Sequence, residues 1–377
     1  MFKKLIKKGM ILFVAILVSL IGVYMLFVSF YPSFGGDVSK EDQELYKTSK
    51  QFRNGVFNNS NDVPKELSFS ETMKLAFTFF TTKVPNGRPK TDINVTKIDS
   101  SEVANYKGEA KLVWFGHSSF LLQLEGRNIL LDPMFGEVAA PHPLLGAPRF
   151  NKEFPLAVDK LPQIDAVLFS HDHYDHLDYK TINAIKHKTK HFYVPLGVGV
   201  HLKSWGVPED SITELDWWQE TQFETLTFVC TPAQHFSGRK LNNNKSTLWA
   251  SWVIQSQNEN IYFSGDSGYA NHFKEIGEKY GPFDMALMEC GQYNEKWSDI
   301  HMMPEETAQA GVDVKAKKIM PIHWGGFKLA LHDWTDPVNR VSAKAKELSL
   351  PIVTPEIGQE IFVKDSMVVA KKWWENY

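Results

Sequence analysis

An uncharged apolar run occupies residues 9–31, directly after Lys3, Lys4, Lys7 and Lys8. At a rise of about 1.5 Å per residue, a helix of this length spans a hydrocarbon core of about 30 Å. A cleaved signal peptide has a shorter apolar core and a small-residue cleavage site, and a buried core helix rarely lacks charge for so long. The pattern therefore favours an uncleaved membrane anchor, and the preceding lysines predict a cytoplasmic N-terminus with the body of the protein on the extracytoplasmic side.

Polar residues without clear periodicity dominate residues 37–105. This pattern predicts a connecting and wrapping segment between a membrane anchor of residues 1–36 and a main domain of residues 106–377. Within the segment, apolar residues recur at helical spacing over residues 65–80, which predicts one amphipathic helix there.

Short β-rich runs alternate with turns and helical stretches beyond residue 110. We predict strands at residues 112–115, 120–124, 128–131, 165–169, 192–195, 228–230, 248–254, 260–263 and 285–288. Helices are predicted at residues 177–188, 271–280, 304–314 and 338–347. Strand runs in both halves, each closed by helices, predict an α/β protein with two sheets packed face to face and helices outside.

Charge and cysteine content narrow the classes of partner and chemistry. The formal net charge of the 377-residue chain is only −3, so no large basic field indicates a nucleic-acid partner. Cys230 and Cys290 lie far apart and neither belongs to a C-x-x-C pair. They are predicted to be ordinary buried thiols, with a disulfide as the open alternative.

Three histidines and two aspartates fall within residues 171–176, directly after the strand predicted at residues 165–169. Imidazole and carboxylate groups are the ligands that a hydrolytic metal needs, and His171, His173, Asp175 and His176 supply four of them. Packing does not explain such a cluster, because each buried polar group would need its own partner. The run predicts the beginning of two adjacent metal sites.

The loop cannot complete two sites alone, because each ion takes about four or five ligands. His235, Asp266 and His323 each stand where an apolar run ends, and such strand-to-loop junctions are where layered α/β enzymes present their ligands. A lone histidine after a strand is more often a hydrogen-bonded core residue or a polar tip, so the ligand interpretation depends on the cluster at residues 171–176. Histidines without this context are predicted to be ordinary surface residues: His142, His187, His191, His201, His272 and His332.

Motifs spread over residues 110–335 extend the pattern. They include Gly116-His117-Ser118-Ser119, Leu131-Asp132-Pro133, Leu248-Trp249-Ala250-Ser251-Trp252, Gly265-Asp266-Ser267-Gly268-Tyr269 and Ile322-His323-Trp324-Gly325. Together with the run 170–176 they resemble the metallo-β-lactamase superfamily, and within it the group around N-acylphosphatidylethanolamine-hydrolysing phospholipase D. The resemblance implies an αβ/βα four-layer sandwich of two mixed β-sheets with helices on the outer faces.

The same resemblance implies a specific set of site residues. One zinc ion would be bound by His171, His173 and His235, a second by Asp175, His176 and His323, and Asp266 would bridge the two. Asp175 and Asp266 would thus also serve catalysis, and His301 resembles a histidine near the substrate, with a polar residue at a helix start as the even alternative. Asp132 is expected to orient a ligand histidine.

The implied activity is that of a zinc-dependent phosphodiesterase of phospholipase D type. It would hydrolyse N-acylphosphatidylethanolamine to phosphatidate and an N-acylethanolamine, with two zinc ions activating a water molecule for attack on phosphorus. A membrane lipid substrate agrees with the predicted anchor. Residues 288–297 depart from the animal phospholipases, so a metal-dependent lactonase or another hydrolase of the same fold is the alternative. The full ligand set disfavours a non-catalytic metal-binding surface protein.

Overall fold

The computed structural model describes residues 2–60, 69–365 and 371–377. Its helices, in chain order, are α1 (Phe2–Phe30), α2 (Lys40–Tyr46), α3 (Phe69–Thr81), α4 (Ser100–Asn105), α5 (Tyr179–Ile185), α6 (Gly199–Ser204), α7 (His272–Tyr280), α8 (Pro304–Asp313) and α9 (Asp336–Glu347). Its strands are β1 (Phe52–Arg53), β2 (Val56–Phe57), β3 (Lys111–Trp114), β4 (Phe120–Leu124), β5 (Arg127–Leu131), β6 (Ile164–Leu168), β7 (Thr189–Pro195), β8 (Ile212–Leu215), β9 (Glu220–Phe223), β10 (Leu226–Thr231), β11 (Ser251–Gln255), β12 (Asn260–Phe263), β13 (Met285–Glu289), β14 (Ile319–Ile322) and β15 (Glu360–Phe362).

Two mixed sheets form the centre of the protein. The first has the strand order β15-β3-β4-β5-β6-β7-β8, and the second has the order β14-β13-β12-β11-β10-β9. In the first sheet β5 to β8 are parallel and the other pairs are antiparallel. In the second sheet β12 to β14 are parallel and β9 to β12 are antiparallel. The predicted pair of mixed sheets is confirmed.

Alternation along the strands divides the core into three layers. In β3, Leu112 and Trp114 belong to the apolar cluster shared by both sheets, whereas Val113 belongs to the cluster beneath α5 and α6. In the second sheet, Trp252 and Ile254 join the shared cluster, whereas Val253 packs in the cluster with α7, α8 and α9. Helices therefore cover both outer faces, which confirms the four-layer αβ/βα sandwich.

Differences from the predicted elements have local causes. The strand predicted at residues 248–254 begins only at Ser251, because the amides of Leu248 and Ala250 donate to carbonyls of Leu196 and Ser170 outside the second sheet. The helix predicted at residues 177–188 is shorter, since α5 gives way to a 3₁₀ turn at Lys186–Lys188.

Four strands of the two main sheets were not predicted from the sequence, and neither were the two short strands of the β1–β2 hairpin. β8 and β9 lie at sheet edges and are polar and only partly buried, so their hydrophobic signal is weak. β14 contains Pro321, which a strand tolerates at a sheet edge, and β14 is an edge strand. β15 has only three residues and pairs with β3, which lies far away in sequence.

The segment of residues 37–105 contains more structure than its polar sequence indicates. It includes α2, the β1–β2 hairpin and α4. The amphipathic helix predicted at residues 65–80 corresponds to α3, which begins at Phe69, and residues 65–68 lie outside the described residues. On α3, Met73 and Phe77 are exposed, which leaves apolar side chains on the surface of this helix.

Helix α1 projects from the domain without buried residues of its own. It is long and apolar enough to cross a membrane, and by length and composition it has the properties of a membrane anchor or a signal sequence.

Cys230 and Cys290 are both free and buried, so the prediction of ordinary buried thiols is confirmed.

Candidate metal centre

The polar residues of the site lie where strands of both sheets end. Within each sheet the strands concerned run in the same direction: β3, β5 and β6 in the first, and β10, β12, β13 and β14 in the second. The loops that leave these strands therefore meet at one edge of the sandwich. They carry or adjoin His117, Asp132, residues 170–176, His235, Asp266, Glu289 and His323.

Three histidines form a first donor group. The Nε2 atom of His171 lies 3.0 Å from Nδ1 of His173, which lies 3.2 Å from Nε2 of His235. Oδ2 of Asp266 is 3.8 Å from the His171 nitrogen and 3.9 Å from the His235 nitrogen. Three imidazole nitrogens and a carboxylate oxygen that face one point are a donor set typical of zinc and similar transition metals.

A second donor group surrounds Asp175. Its Oδ2 atom lies 3.0 Å from Nε2 of His323 and 3.5 Å from Nε2 of His176. Oδ2 of Asp266 is 3.1 Å from both of these histidine nitrogens. The structure thus brings together all seven residues that the sequence analysis proposed as ligands, with Asp266 between the two groups.

His117 joins the second group and was missed in the sequence analysis. It is fully buried, and its Nε2 atom is 2.9 Å from Oδ2 of Asp175. The signal was present, because His117 follows β3 just as His323 follows β14, within a motif that the resemblance already used. A third nitrogen donor close to the carboxylate of Asp175 gives this group His117, Asp175, His176 and His323.

The chemistry of this donor set fits divalent cations. Oδ1 of Asp266 is buried and has no hydrogen-bond partner among the described residues, although a buried carboxylate oxygen ordinarily has one. The imidazole nitrogens approach one another at hydrogen-bonding distances, and neutral rings can satisfy only some of these contacts. A cation between them would accept all the lone pairs at once. The donor set and its burial together indicate a centre that binds divalent metal.

Electrostatic effects in the centre agree with this interpretation. Burial and the neighbouring imidazoles hold the pKa of His171 and His235 well below 6.5, so both rings are neutral, which is the form that binds metal. Burial alone would raise the pKa of Asp266, but His176 and His323 outweigh it and keep that pKa well below the usual value. Although burial opposes it, the carboxylates raise the pKa of His323 to about 10. The second group therefore stabilises positive charge.

Asp132 forms hydrogen bonds with two residues of the ligand loop, residues 170–176. Its Oδ2 atom is 2.6 Å from Nδ1 of His176, and its Oδ1 accepts a 2.7 Å hydrogen bond from the amide of Ser170. The hydroxyl of Ser170 lies 2.5 Å from Asp132 and 2.9 Å from Nδ1 of His171. The predicted contact between Asp132 and a histidine of the cluster is confirmed. It leaves Nε2 of both rings directed at the centre.

Several residues of the centre have left-handed backbone conformations that non-glycine residues rarely adopt. The φ angles are 55° for His117, 37° for Asp132, 59° for Gln292 and 65° for His323. Each residue stands just after a strand, where a sharp change of direction turns the side chain inward. Such conformations cost about 1–3 kcal/mol each and cluster at functional sites, where surrounding contacts hold them.

The segment before the main domain also contributes to the centre. Asn59 donates from Nδ2 to the carbonyl of His235 at 2.9 Å and accepts from the amide of His235 at 3.1 Å. The indole of Trp249 donates to the same Asn59 side chain at 2.9 Å. Asn59 therefore fixes the backbone that presents His235. Asn59 gives no signal in the sequence, because it stands in the polar, asparagine-rich run of residues 58–62.

His301 and Glu289 form a pair beside the centre. Nδ1 of His301 lies 3.1 Å from Oε1 of Glu289, and Oε2 of Glu289 accepts a 3.0 Å bond from the amide of Met302. The His301 ring lies 5.2 Å from the His323 ring, nearly parallel to it, and 5.0 Å from the His235 ring. His301 is thus placed at the rim of the site, and the fully buried Glu289, another residue missed in the sequence analysis, holds its orientation.

Two of the histidines predicted to be surface residues are buried, so that prediction was wrong for them. His201 contacts Oδ2 of Asp172 at 3.2 Å, and that carboxylate also accepts bonds from Gly238 and Thr247. His272 packs against Ser267, with its Nε2 atom 3.2 Å from the hydroxyl. Their partners Asp172 and Ser267 are the neighbours in sequence of His171 and Asp266. Both histidines therefore form tertiary contacts next to the metal centre that the sequence did not reveal. Among the other four, His187 is exposed, and the partly buried ones are His142, His191 and His332.

An open cavity of about 370 Å³ leads to the metal centre. His173, Asp175, Asp266, His301 and His323 form its polar base. The other lining residues are mainly apolar and comprise Leu75, Phe236, Gln292, Trp297, Ile300 and Leu329. The cavity can therefore accommodate a ligand that places a polar group at the base and apolar portions along the walls.

Comparison with known proteins places this architecture in a family. The sequence model of the beta-lactamase superfamily domain matches residues 127–324, which is more than half of the 377 residues. The chain belongs to this family. Fold and family together make it a metal-dependent hydrolase.

Individual relatives and structures extend the comparison. An uncharacterized protein of Mycobacterium tuberculosis is 40% identical to this hydrolase over 335 residues, covering 86% of the hydrolase and 87% of the relative. N-acyl-phosphatidylethanolamine-hydrolyzing phospholipase D 1 of Caenorhabditis elegans is 34% identical over 233 residues, which are 59% of this chain and 65% of the nematode enzyme. Igni18, a metallo hydrolase of Ignicoccus hospitalis, aligns with 67% of this chain and 98% of its own at 20% identity and a TM-score of 0.51, so it shares the fold.

Proposed function

We propose that this hydrolase is a zinc-dependent phosphodiesterase of phospholipase D type that cleaves N-acylphosphatidylethanolamine into phosphatidate and an N-acylethanolamine. The observation that carries the proposal is the paired donor group at the base of a cavity with mainly apolar walls. A phosphodiester between acyl chains combines the charge and the apolar bulk that such a site accommodates. The similarity to the nematode phospholipase over 233 residues supports the same assignment.

Two zinc ions would occupy the centre. His171, His173 and His235 would hold one, Asp175, His176 and His323 the other, and Asp266 would contact both. When bound, such a pair of ions activates water at neutral pH and offsets the negative charge of a phosphate ester. His117, which contacts Asp175, would restrain that carboxylate as the substrate binds.

Residues of the cavity would position the substrate by contact. Phe236, Trp297 and Ile300 would pack against acyl chains and exclude water from the scissile bond. His301 stands at the rim with Nδ1 directed at Glu289, so its Nε2 atom is the one available to a phosphate oxygen or the leaving oxygen. His301 would therefore orient the ester or pass it a proton. Asp175 is a second candidate, provided that it first takes the proton released by the attacking water, because its own pKa lies well below the usual value.

The location that we propose is a membrane surface, because the proposed substrate is a membrane lipid. Helix α1 would anchor the enzyme in a membrane, with the catalytic domain on the extracytoplasmic side, as the lysines before the helix indicate. The lipid would then reach the cavity from the membrane in which the anchor lies. We propose no nucleic-acid partner, in agreement with the net charge of −3.

The direct test uses the purified full-length protein with its metal content measured by elemental analysis. Incubation with N-acylphosphatidylethanolamine in mixed micelles should release phosphatidate and N-acylethanolamine in equal amounts, detected by mass spectrometry. A chelator should stop the reaction and added zinc should restore it. Hydrolysis of a panel of lactones by the zinc-loaded protein, without cleavage of any phosphodiester, would overturn the proposal in favour of a lactonase.

Replacement of Glu289 tests the role of His301. The Glu289→Gln substitution keeps the side-chain volume. It replaces the carboxylate that contacts Nδ1 of His301 and accepts a hydrogen bond from the backbone N–H of Met302 with a neutral carboxamide. We expect activity to fall roughly 10–100-fold, because a misdirected contact group costs about that much. The fall should appear in kcat more than in KM, with the pH profile altered. Because Oε1 of Glu289 also lies 3.4 Å from Nδ1 of His323, the variant is compared at saturating zinc with its metal content measured. A variant with unchanged kcat and pH profile would show that the pair is only structural.

A further inference from the structure

The segment that joins helix α1 to the domain is fixed by hydrogen bonds. The carbonyl of Pro32 accepts a 2.7 Å bond from the indole of Trp205, and the carbonyl of Ser33 accepts bonds of 2.6 and 3.0 Å from the guanidinium of Arg239. Phe34 is buried and packs against Tyr174. The domain is therefore held in one orientation relative to the end of α1.

A loop of the domain lies beside the last turns of that helix. The ring of His142 is 6.2 Å from the ring of Phe27 and 5.3 Å from the ring of Tyr31. Phe27 and Tyr31 are four positions apart, or about 6 Å along the helix axis, and they lie at the end of the apolar run of residues 9–31. The loop is thus level with the boundary between the hydrocarbon and the polar region of a bilayer that α1 would cross.

Two leucines project from this loop. Leu144 and Leu145 are 88% and 64% exposed, although leucine is among the residues most often buried. The loop is ordered, because Nδ1 of His142 accepts the amide of Leu144 at 3.1 Å and caps the 3₁₀ turn Pro143–Leu145. The side chain that contacts α1 therefore also fixes the turn that carries the leucines.

We infer that the loop of residues 141–145 inserts Leu144 and Leu145 into the lipid surface next to the anchor. The occupant is a bilayer because the leucines lie two and three residues from His142, which contacts Phe27 at the end of the apolar helix α1, and because α1 itself exposes apolar side chains there, including Phe30, which is 78% exposed. The aromatic contacts of His142 hold them at the level where α1 leaves the bilayer. The inference rests on the proposed membrane anchor and not on the proposed phosphodiesterase activity. Its consequence is that the domain would lie against the membrane in a defined orientation.

Quenching by lipids with a nitroxide on the acyl chain tests the inference in the full-length protein, reconstituted in phosphatidylcholine vesicles. An environment-sensitive fluorophore would be attached to Leu144→Cys or, as a second position, Leu145→Cys. Cys230 and Cys290 are buried, so the label should react at the introduced thiol. Val18→Cys on the exposed surface of α1 reports insertion of the anchor, and Asn258→Cys is the matched polar control at the opposite edge of the sheets.

The expected result is strong quenching at position 18, several-fold more quenching at positions 144 and 145 than at 258, and a blue-shifted emission at 144. Quenching at 144 and 145 no greater than at 258, with position 18 quenched, would overturn the loop insertion while leaving the anchor intact. Absence of quenching at position 18 as well would overturn both the anchor and the insertion. Lipid hydrolysis by the unlabelled protein is measured separately, so the proposed activity succeeds or fails on its own.

Discussion

Replacing Asp266 with asparagine is expected to reduce hydrolysis by roughly 10³-fold, which corresponds to about 4 kcal/mol of transition-state stabilisation. Asp266 is the carboxylate that faces both donor groups, with Oδ2 3.1 Å from His176 and His323 and within 3.9 Å of His171 and His235. An amide of the same shape lacks the negative charge and one of the two acceptor oxygens. Bound metal should therefore fall from the proposed two ions per chain towards one or none.

The matched control for this substitution is Asp210→Asn. It makes the same chemical change on an exposed carboxylate outside the centre, and it should leave activity and metal content as in the wild type. Circular dichroism and thermal unfolding would establish that the Asp266→Asn protein is folded. A folded Asp266→Asn variant with wild-type activity and two bound ions would contradict the binuclear centre.

The second large effect is expected from Asp132→Asn, which leaves every proposed ligand in place. Asp132 accepts from Nδ1 of His176 and from the amide and hydroxyl of Ser170. An amide nitrogen there would face hydrogen-bond donors, so His176 would lose its fixed orientation. Outer contacts of this kind are worth about 10–100-fold in metal affinity, and we expect a loss in that range.

Competition with a chromogenic chelator would measure the affinity, with Asp165→Asn as the control. Asp165 is also a buried carboxylate next to the same strand run, and it accepts the amide of Asn128 and the ammonium group of Lys190. It stands at the beginning of β6, whereas Ser170 follows the end of that strand. Asp165→Asn should lower stability without changing metal affinity. Equal losses of affinity in both variants would mean that Asp132 acts through general stability alone.

Residues 288–297, whose sequence departs from that of the animal phospholipases, lie beside the metal centre and its cavity. Glu289 lies in that stretch as a fully buried acid at the end of β13, and it fixes His301 beside the metal centre. Gln292 and Trp297, from the same stretch, line the cavity. The sequence difference thus falls on residues that line the cavity, so substrate preference is where we expect this hydrolase to differ from the animal phospholipases.

Local pattern was enough to predict much of this protein. Short β-rich runs predicted most strands of both sheets, because strands that are buried on both faces are apolar almost throughout. The run of residues 171–176 predicted a metal centre, because five ionisable groups within six residues have few other uses. The apolar run of residues 9–31 predicted a helix long enough to cross a membrane, and α1 includes this run up to Phe30 and extends through the preceding lysines to Phe2. Each of these signals is contained in a short stretch of chain.

Tertiary structure decided what no short stretch contains. The strand order brings His117 and Glu289 to one edge of the sandwich, and Asn59 reaches the same edge through its hydrogen bonds with His235. The burial of His201 was equally invisible, because its partner Asp172 lies 29 residues away. The sequence by itself determined which residues could bind metal. The packing of two sheets determined which of them share a site, because proximity across the core depends on strand direction and register rather than on spacing along the chain.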